Sequence, residues 1–129
     1  MTLGDTHATD IRITTIPSYL AEHSAPNEHN YVFAYTITIA NLGSESVQLL
    51  SRRWLITDAN GKIIEVEGDG VVGEQPNIAP GAAFTYTSGV NLATPVGVME
   101  GSYRLIYTDG RQFDAPIAPF RLSLPNLIN

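Results

Sequence analysis

The sequence predicts an all-β fold of the β-sandwich type, and three observations carry that expectation. Apolar residues at helical spacing are nearly absent along the 129 residues. Short runs of β-branched and aromatic residues recur instead. Clusters of Gly, Pro, Asn and Asp separate those runs as turns. Seven to eight mostly antiparallel strands in a single domain, residues 1–129, fit a sandwich with Greek-key connections.

The elements follow in order. Asp10 to Leu20 reads as a first strand, with Ile11, Ile13 and Ile16 as its apolar positions. Glu22 to Asn30 is polar, contains Pro26 and forms a loop. His29 to Ala40 is the clearest strand: Tyr31, Phe33, Tyr35, Ile37 and Ile39 alternate with smaller residues, so the odd positions form the core face. Asn41 to Ser44 turns the chain. Ser46 to Thr57 is the next strand. Val47 and Leu49 are odd while Trp54 and Ile56 are even, so all four face inward only if a bulge lies within Leu50 to Arg53. Asn60-Gly61 signals a hairpin into Lys62 to Glu67, where Ile64 and Val66 face one way and Glu65 and Glu67 face solvent. Gly68 to Gly81 is loop-rich. Ala82 to Leu92 is a strand with Phe84 and Tyr86 on one face. Met99 to Thr108 and Arg111 to Ile117 pair through Asp109-Gly110, and Pro119 to Leu124 forms a last short strand.

Composition narrows the function. Seven basic residues face thirteen acidic ones, a formal net charge of -6. That balance opposes nucleic acid, which demands a basic stripe, and opposes an anionic membrane surface. It suits a protein partner or a cation. There is no cysteine, which rules out disulfides, thiolate nucleophiles and cysteine-zinc sites and fits a reducing compartment. The start is polar, with no signal core and no run long enough to span a bilayer, so the expected location is the cytoplasm and membrane insertion is not expected.

Several residues invite chemical readings. Gly68-Asp69-Gly70-Val71-Val72-Gly73 spells G-x-G-x-x-G after a predicted strand, a pattern that can set a pyrophosphate against amides at a helix start. Pro76 and Pro80 follow, so no helix can run on, and Glu65, Glu67, Asp69 and Glu74 repel bare phosphate. Glycines serving backbone geometry explain the motif better. The same carboxylates are the ligand type for Mg²⁺ or Ca²⁺, but their spacing matches no metal loop, and His7, His23 and His29 match no zinc motif. No metal site and no cofactor are expected. Ser88 lacks the glycine that a nucleophile elbow needs, so no catalytic residue is assigned. Glu65 and Glu67 read as guards of an exposed edge strand. In Arg52-Arg53-Trp54, Trp54 is a core anchor and the two arginines point to opposite faces. One of them is expected to be partly buried and paired with a carboxylate, and an exposed one could anchor a partner.

The residues Leu49 to Asp58, Gly68 to Pro76, Tyr86-Thr87-Ser88-Gly89, Thr94 to Tyr103 and Pro119-Phe120-Arg121-Leu122 together resemble the bacterial ApaG family over nearly the whole chain. The resemblance implies a fibronectin type III/immunoglobulin-like sandwich. It also implies a link to cobalt resistance and magnesium efflux, a nucleotide connection through the neighbouring diadenosine-tetraphosphate hydrolase, and a protein-interaction role where the domain is appended to F-box and polymerase-associated proteins. It brings no catalytic residues. The expected function is therefore a non-enzymatic module that binds a protein partner. Its tentative contact residues are Arg53, Gly68, Asp69, Gly70, Val71, Val72, Gly73 and Glu74. Val71 and Val72 either pack inward or meet that partner. The alternative is a nucleotide or pyrophosphate binder using Gly68 to Gly73, with a bridging divalent metal.

Overall fold

The structure is a computed structural model that describes residues 5–8 and 10–125, with side chains described from Asp10 onward; the side chain of His7 lies outside the described residues. Nine strands are present among them: β1 (Asp5–Ala8), β2 (Ile11–Tyr19), β3 (Tyr31–Asn41), β4 (Val47–Asp58), β5 (Ile63–Asp69), β6 (Asn77–Ile78), β7 (Ala83–Leu92), β8 (Val96–Tyr107) and β9 (Gln112–Ser123). One sheet has the order β1-β2-β3-β7. The other has the order β5-β4-β8-β9, with β6 paired to the start of β4. Every pairing is antiparallel. The chain is an all-β sandwich of the expected class. The strand total exceeds the expected seven to eight by the short β1, which falls in the polar start, and the two-residue β6.

The alternation in β3 is as the sequence predicts, with Phe33, Tyr35, Ile37 and Ile39 buried. The bulge also falls where parity demands it. The β4–β8 register shifts between Leu49 and Ser51, so Val47, Leu49, Trp54 and Ile56 all reach the core. A second shift, opposite Met99 and Gly101, lets β9 bury Ala115 and Ile117 and then Phe120 and Leu122. The two short strands expected over Arg111 to Ile117 and Pro119 to Leu124 are thus one continuous strand with a change of phase. Ile16 is corrected: it has the opposite parity to Ile11 and Ile13, lies 61% exposed, and leaves the inner position to Thr15.

Trp54 centres the core, meeting the rings of Tyr35, Phe120 and Tyr103 edge-on at centroid distances of 5.4, 5.9 and 6.3 Å. Its Nε1 is buried and has no hydrogen-bond partner among the described residues. Beside it the hydroxyls of Tyr86 and Tyr103 hydrogen-bond each other across the two sheets. Burial raises the pKa of both phenols above the ordinary tyrosine value. Asn41 closes one end of the sandwich. It is buried, donates to the carbonyls of Glu45 (2.8 Å) and Ile78 (3.0 Å), and accepts from the Gly43 amide (3.0 Å). No described helix is long and apolar enough to cross a membrane.

Candidate functional site

The glycine-rich segment begins where β5 leaves the edge of its sheet. The Gly70 amide donates to the Leu50 carbonyl (2.8 Å). Val71 and Glu74 then pair, each amide donating to the other's carbonyl at 2.8 and 2.9 Å. The two residues between them, Val72 and Gly73, have φ of 44° and 80°. Left-handed backbone at both central positions is what a tight primed turn requires. Gly73 suits it. Val72 does not, because a β-branched residue at positive φ is a true outlier. The two valines take both of the expected options: Val71 is fully buried in the core, and Val72 is 54% exposed at the tip.

Each glycine of the motif is required for a different reason. Gly70 sits at φ 61°, and a Cβ there would lie 2.3 Å from the Glu74 carbonyl oxygen. Gly73 needs only its positive φ, with open space around it. Gly68 has ordinary backbone geometry, but a Cβ would lie 2.9 Å from Nη1 of Arg52. That arginine faces inward beside Tyr103, passes over Gly68, and donates to the carbonyls of Asp69 (3.0 Å) and Gly70 (2.9 Å). The side chain of Gln75 adds a bond to the Leu50 carbonyl (2.9 Å). The hairpin is thus fastened by Val71, Arg52 and Gln75, while its tip stands free.

The expected partly buried arginine paired with a carboxylate is in fact two residues. Arg52 is partly buried and bonds backbone carbonyls. Arg53 is exposed and carries the carboxylate partners, Glu65 at 2.8 Å and Glu67 at 3.9 Å. This pair lies on the outer face of the five-stranded sheet, where Glu65 and Glu67 project together as the alternation predicts. Hydrogen bonding from Arg53, then from the Glu67 side, holds the Glu65 carboxyl below the usual carboxylate range. One step along the same face, Arg104 grips Asp114 in a fork at 2.9 and 3.2 Å, and the bonds to Asp114 raise its pKa. These pairs are solvated, so they fix side-chain orientation more than they stabilise the fold.

Ladder register explains the layout. Arg53 faces Ser102 and Glu67, and Ser51 faces Arg104 and Asp69, so two cross-strand rows of charge and hydroxyl lie side by side. They line an open concavity of about 490 Å³ together with Gly68 and Asp114. Sequence reading found Arg53 and Asp69 but not Arg104, Asp114, Ser51 or Ser102. A signal for two of them was available: a hairpin centred on Asp109 sets residue 104 opposite residue 114.

The chemistry such a surface can perform is recognition by alternating charge. A phosphate cradle needs free amides at a helix start. Here the Gly70, Val71 and Glu74 amides are donated to the chain's own carbonyls, and the chain runs on to the strand Asn77–Ile78. Among the described residues, no group of three or more His, Asp or Glu is placed to hold a metal ion.

Comparison with known proteins places this geometry. The ApaG domain matches residues 21–107. Protein ApaG of Vibrio vulnificus is 58% identical over 119 residues, covering 92% of this chain and 94% of that one. Protein ApaG of Methylococcus capsulatus is 53% identical over 120 residues, covering 93% and 95%. A crystal structure of a Bordetella pertussis protein described as ApaA superposes with a TM-score of 0.89 at 47% identity, covering 92% of this chain and 96% of that one.

Proposed function

Because the chain belongs to the ApaG domain family, whose match spans residues 21–107, we propose that it works as a protein-contact module rather than an enzyme. Its contact surface is the outer face of the five-stranded sheet together with the Val71–Glu74 hairpin. One observation carries this reading. Val72 holds a β-branched side chain at φ 44° and 54% exposure, although Asn or Gly would fill that turn position without strain. Strain kept at an exposed position points to a role beyond folding. The hairpin offers one apolar side chain beside a face bearing Arg53, Glu65, Glu67, Asp69, Arg104 and Asp114. That combination suits a partner with an apolar residue flanked by basic ones. In this reading the module acts in the cytoplasm, and its link to cobalt and magnesium handling runs through the partner. The internally donated amides of Gly70, Val71 and Glu74 weigh against a nucleotide in the same place.

The test is Val72→Asn, which creates Asn-Gly at the turn. Stability should be unchanged or rise by about 1 kcal/mol as the left-handed strain is relieved. Recovery of the parent's partners from native lysate and cobalt tolerance in a complemented deletion strain should both fall. Glu67→Lys should lower the same two readouts. If both variants match the parent in both readouts, the surface is not the contact site.

A further inference from the structure

Among the described strands, β1 and β7 bound one sheet, and β9 and β5, continued by the two-residue β6, bound the other; all but β7 are guarded. β5 carries Glu65, Glu67 and Asp69. β9 carries Asp114, Pro116, Pro119 and Arg121 and a shifted register. β1 is four residues long. Charges, prolines, bulges and brevity are the ordinary means of keeping an edge from pairing. β7 has none of them. Its ten residues, Ala83 to Leu92, contain no charge and no proline, and they pair with β3 from end to end without a shift. Its outer side is a long ladder with no strand beside it among the described residues.

A second observation concerns the seam below that edge. Ile64 of β5 lies opposite the buried Ile56 and so faces inward, yet it is 44% exposed. It meets Asn91 and Leu92 of β7 at a shallow opening. Phe84 and Val90, on the inner face of β7, are only partly buried. The side of the sandwich where β7 lies over β5 is therefore incompletely covered, with Ile64, Phe84 and Val90 partly open along it and Asp58 and Lys62 also lining the opening.

We propose that β7 pairs antiparallel with β7 of a second copy of this chain, joining two four-stranded sheets into one of eight. The choice of a second copy rests on charge. The chain carries a net charge of -6, so copies repel over most of their surface. A two-fold axis across the edge brings each strand against itself, and β7 is a stretch where that apposition sets no like charges together. Antiparallel self-pairing is also the isologous contact that closes as a dimer. The axis passes near Thr87 and Ser88, the middle of the strand. Phe84 and Val90 of each copy then face residues of the other along the uncovered seam.

The experiment is sedimentation velocity of the full chain at about 100 μM, well above a micromolar dissociation constant. The parent should sediment as a dimer. Thr87→Lys and Thr87→Glu place like charges across the axis, and each should sediment as a monomer with an unchanged far-UV spectrum. An equimolar mixture of the two should return to the dimer, because the charges at the axis are then opposite. Gly89→Lys repeats the test at an exposed position where a Cβ makes only ordinary contact. A parent that stays monomeric at this concentration overturns self-pairing and leaves the edge to a foreign strand. A dimer that persists undiminished in all three variants places the interface elsewhere.

Discussion

Replacing each glycine of Gly68-Asp69-Gly70-Val71-Val72-Gly73 with alanine should give unequal losses of stability, with Gly70→Ala by far the largest. At Gly70 two costs combine. A side chain at φ 61° costs about 1–2 kcal/mol. The new Cβ would also lie 2.3 Å from the Glu74 carbonyl oxygen, which is backbone and cannot swing aside. Relieving that overlap parts the Val71–Glu74 pair, whose two hydrogen bonds contribute about 1 kcal/mol each. The expected loss is about 3 kcal/mol or more, and it grows if the fully buried Val71 is disturbed. At Gly73 only the positive φ is violated, and the loss should be about 1 kcal/mol. At Gly68 the backbone is ordinary and the obstacle is the Arg52 guanidinium, which can move. Losing its bonds to two carbonyls, offset by the better strand propensity of alanine, leaves about 1 kcal/mol. The assay is urea unfolding followed by the fluorescence of Trp54, the sole tryptophan, which is 2% exposed in the fold. A Gly70→Ala loss no larger than that of Gly73→Ala would refute the assigned geometry of the hairpin.

Two further expectations follow from buried polar groups. Asn41→Ala removes three hydrogen bonds, the one to the Ile78 carbonyl buried, so it should lower stability by about 2–3 kcal/mol in the same assay, and a loss under about 0.5 kcal/mol contradicts the role given to Asn41. Burial raises the pKa of Tyr86 and Tyr103 in the fold, so the folded state holds their protons after the unfolded chain has released its own. The contribution of the two phenols should be level below about pH 10, and stability should fall above it by up to about 1.4 kcal/mol per pH unit for each phenol. Tyr86→Phe should make that alkaline fall shallower in denaturation curves taken across the range, and an unchanged slope would count against the shift.

Much of the fold was legible in the sequence because β-structure writes itself in parity. The odd positions of Tyr31 to Ile39 gave the core face of β3. The switch from Val47 and Leu49 to Trp54 and Ile56 located a bulge that only a tertiary partner, β8, could reveal directly. The same reasoning was available at Ile117 and Phe120. The prolines there suggested a break between strands, whereas the sheet absorbs them at an edge by a register shift. The site was less legible. Gly68 to Gly73 stood out as a motif, but its glycines answer to an arginine sixteen residues earlier in the chain, a carbonyl four residues later and a turn angle, none of which local sequence states. Arg104 and Asp114 were missed because an exposed charge pair on a hairpin has no local signature until the register is counted out from Asp109-Gly110.

The contact surface is tested most directly by placing a photo-crosslinking residue at Val72 in living cells, with Ile16 as the control. The two positions have similar exposure, 54% and 61%, but Ile16 lies on β2, in the other sheet. Irradiation should give a discrete adduct with another protein from position 72 and none from position 16. Adduct formation from position 72 should fall when Glu67→Lys is introduced alongside. Equal labelling from both positions, or none from position 72, would contradict a contact surface centred on the hairpin.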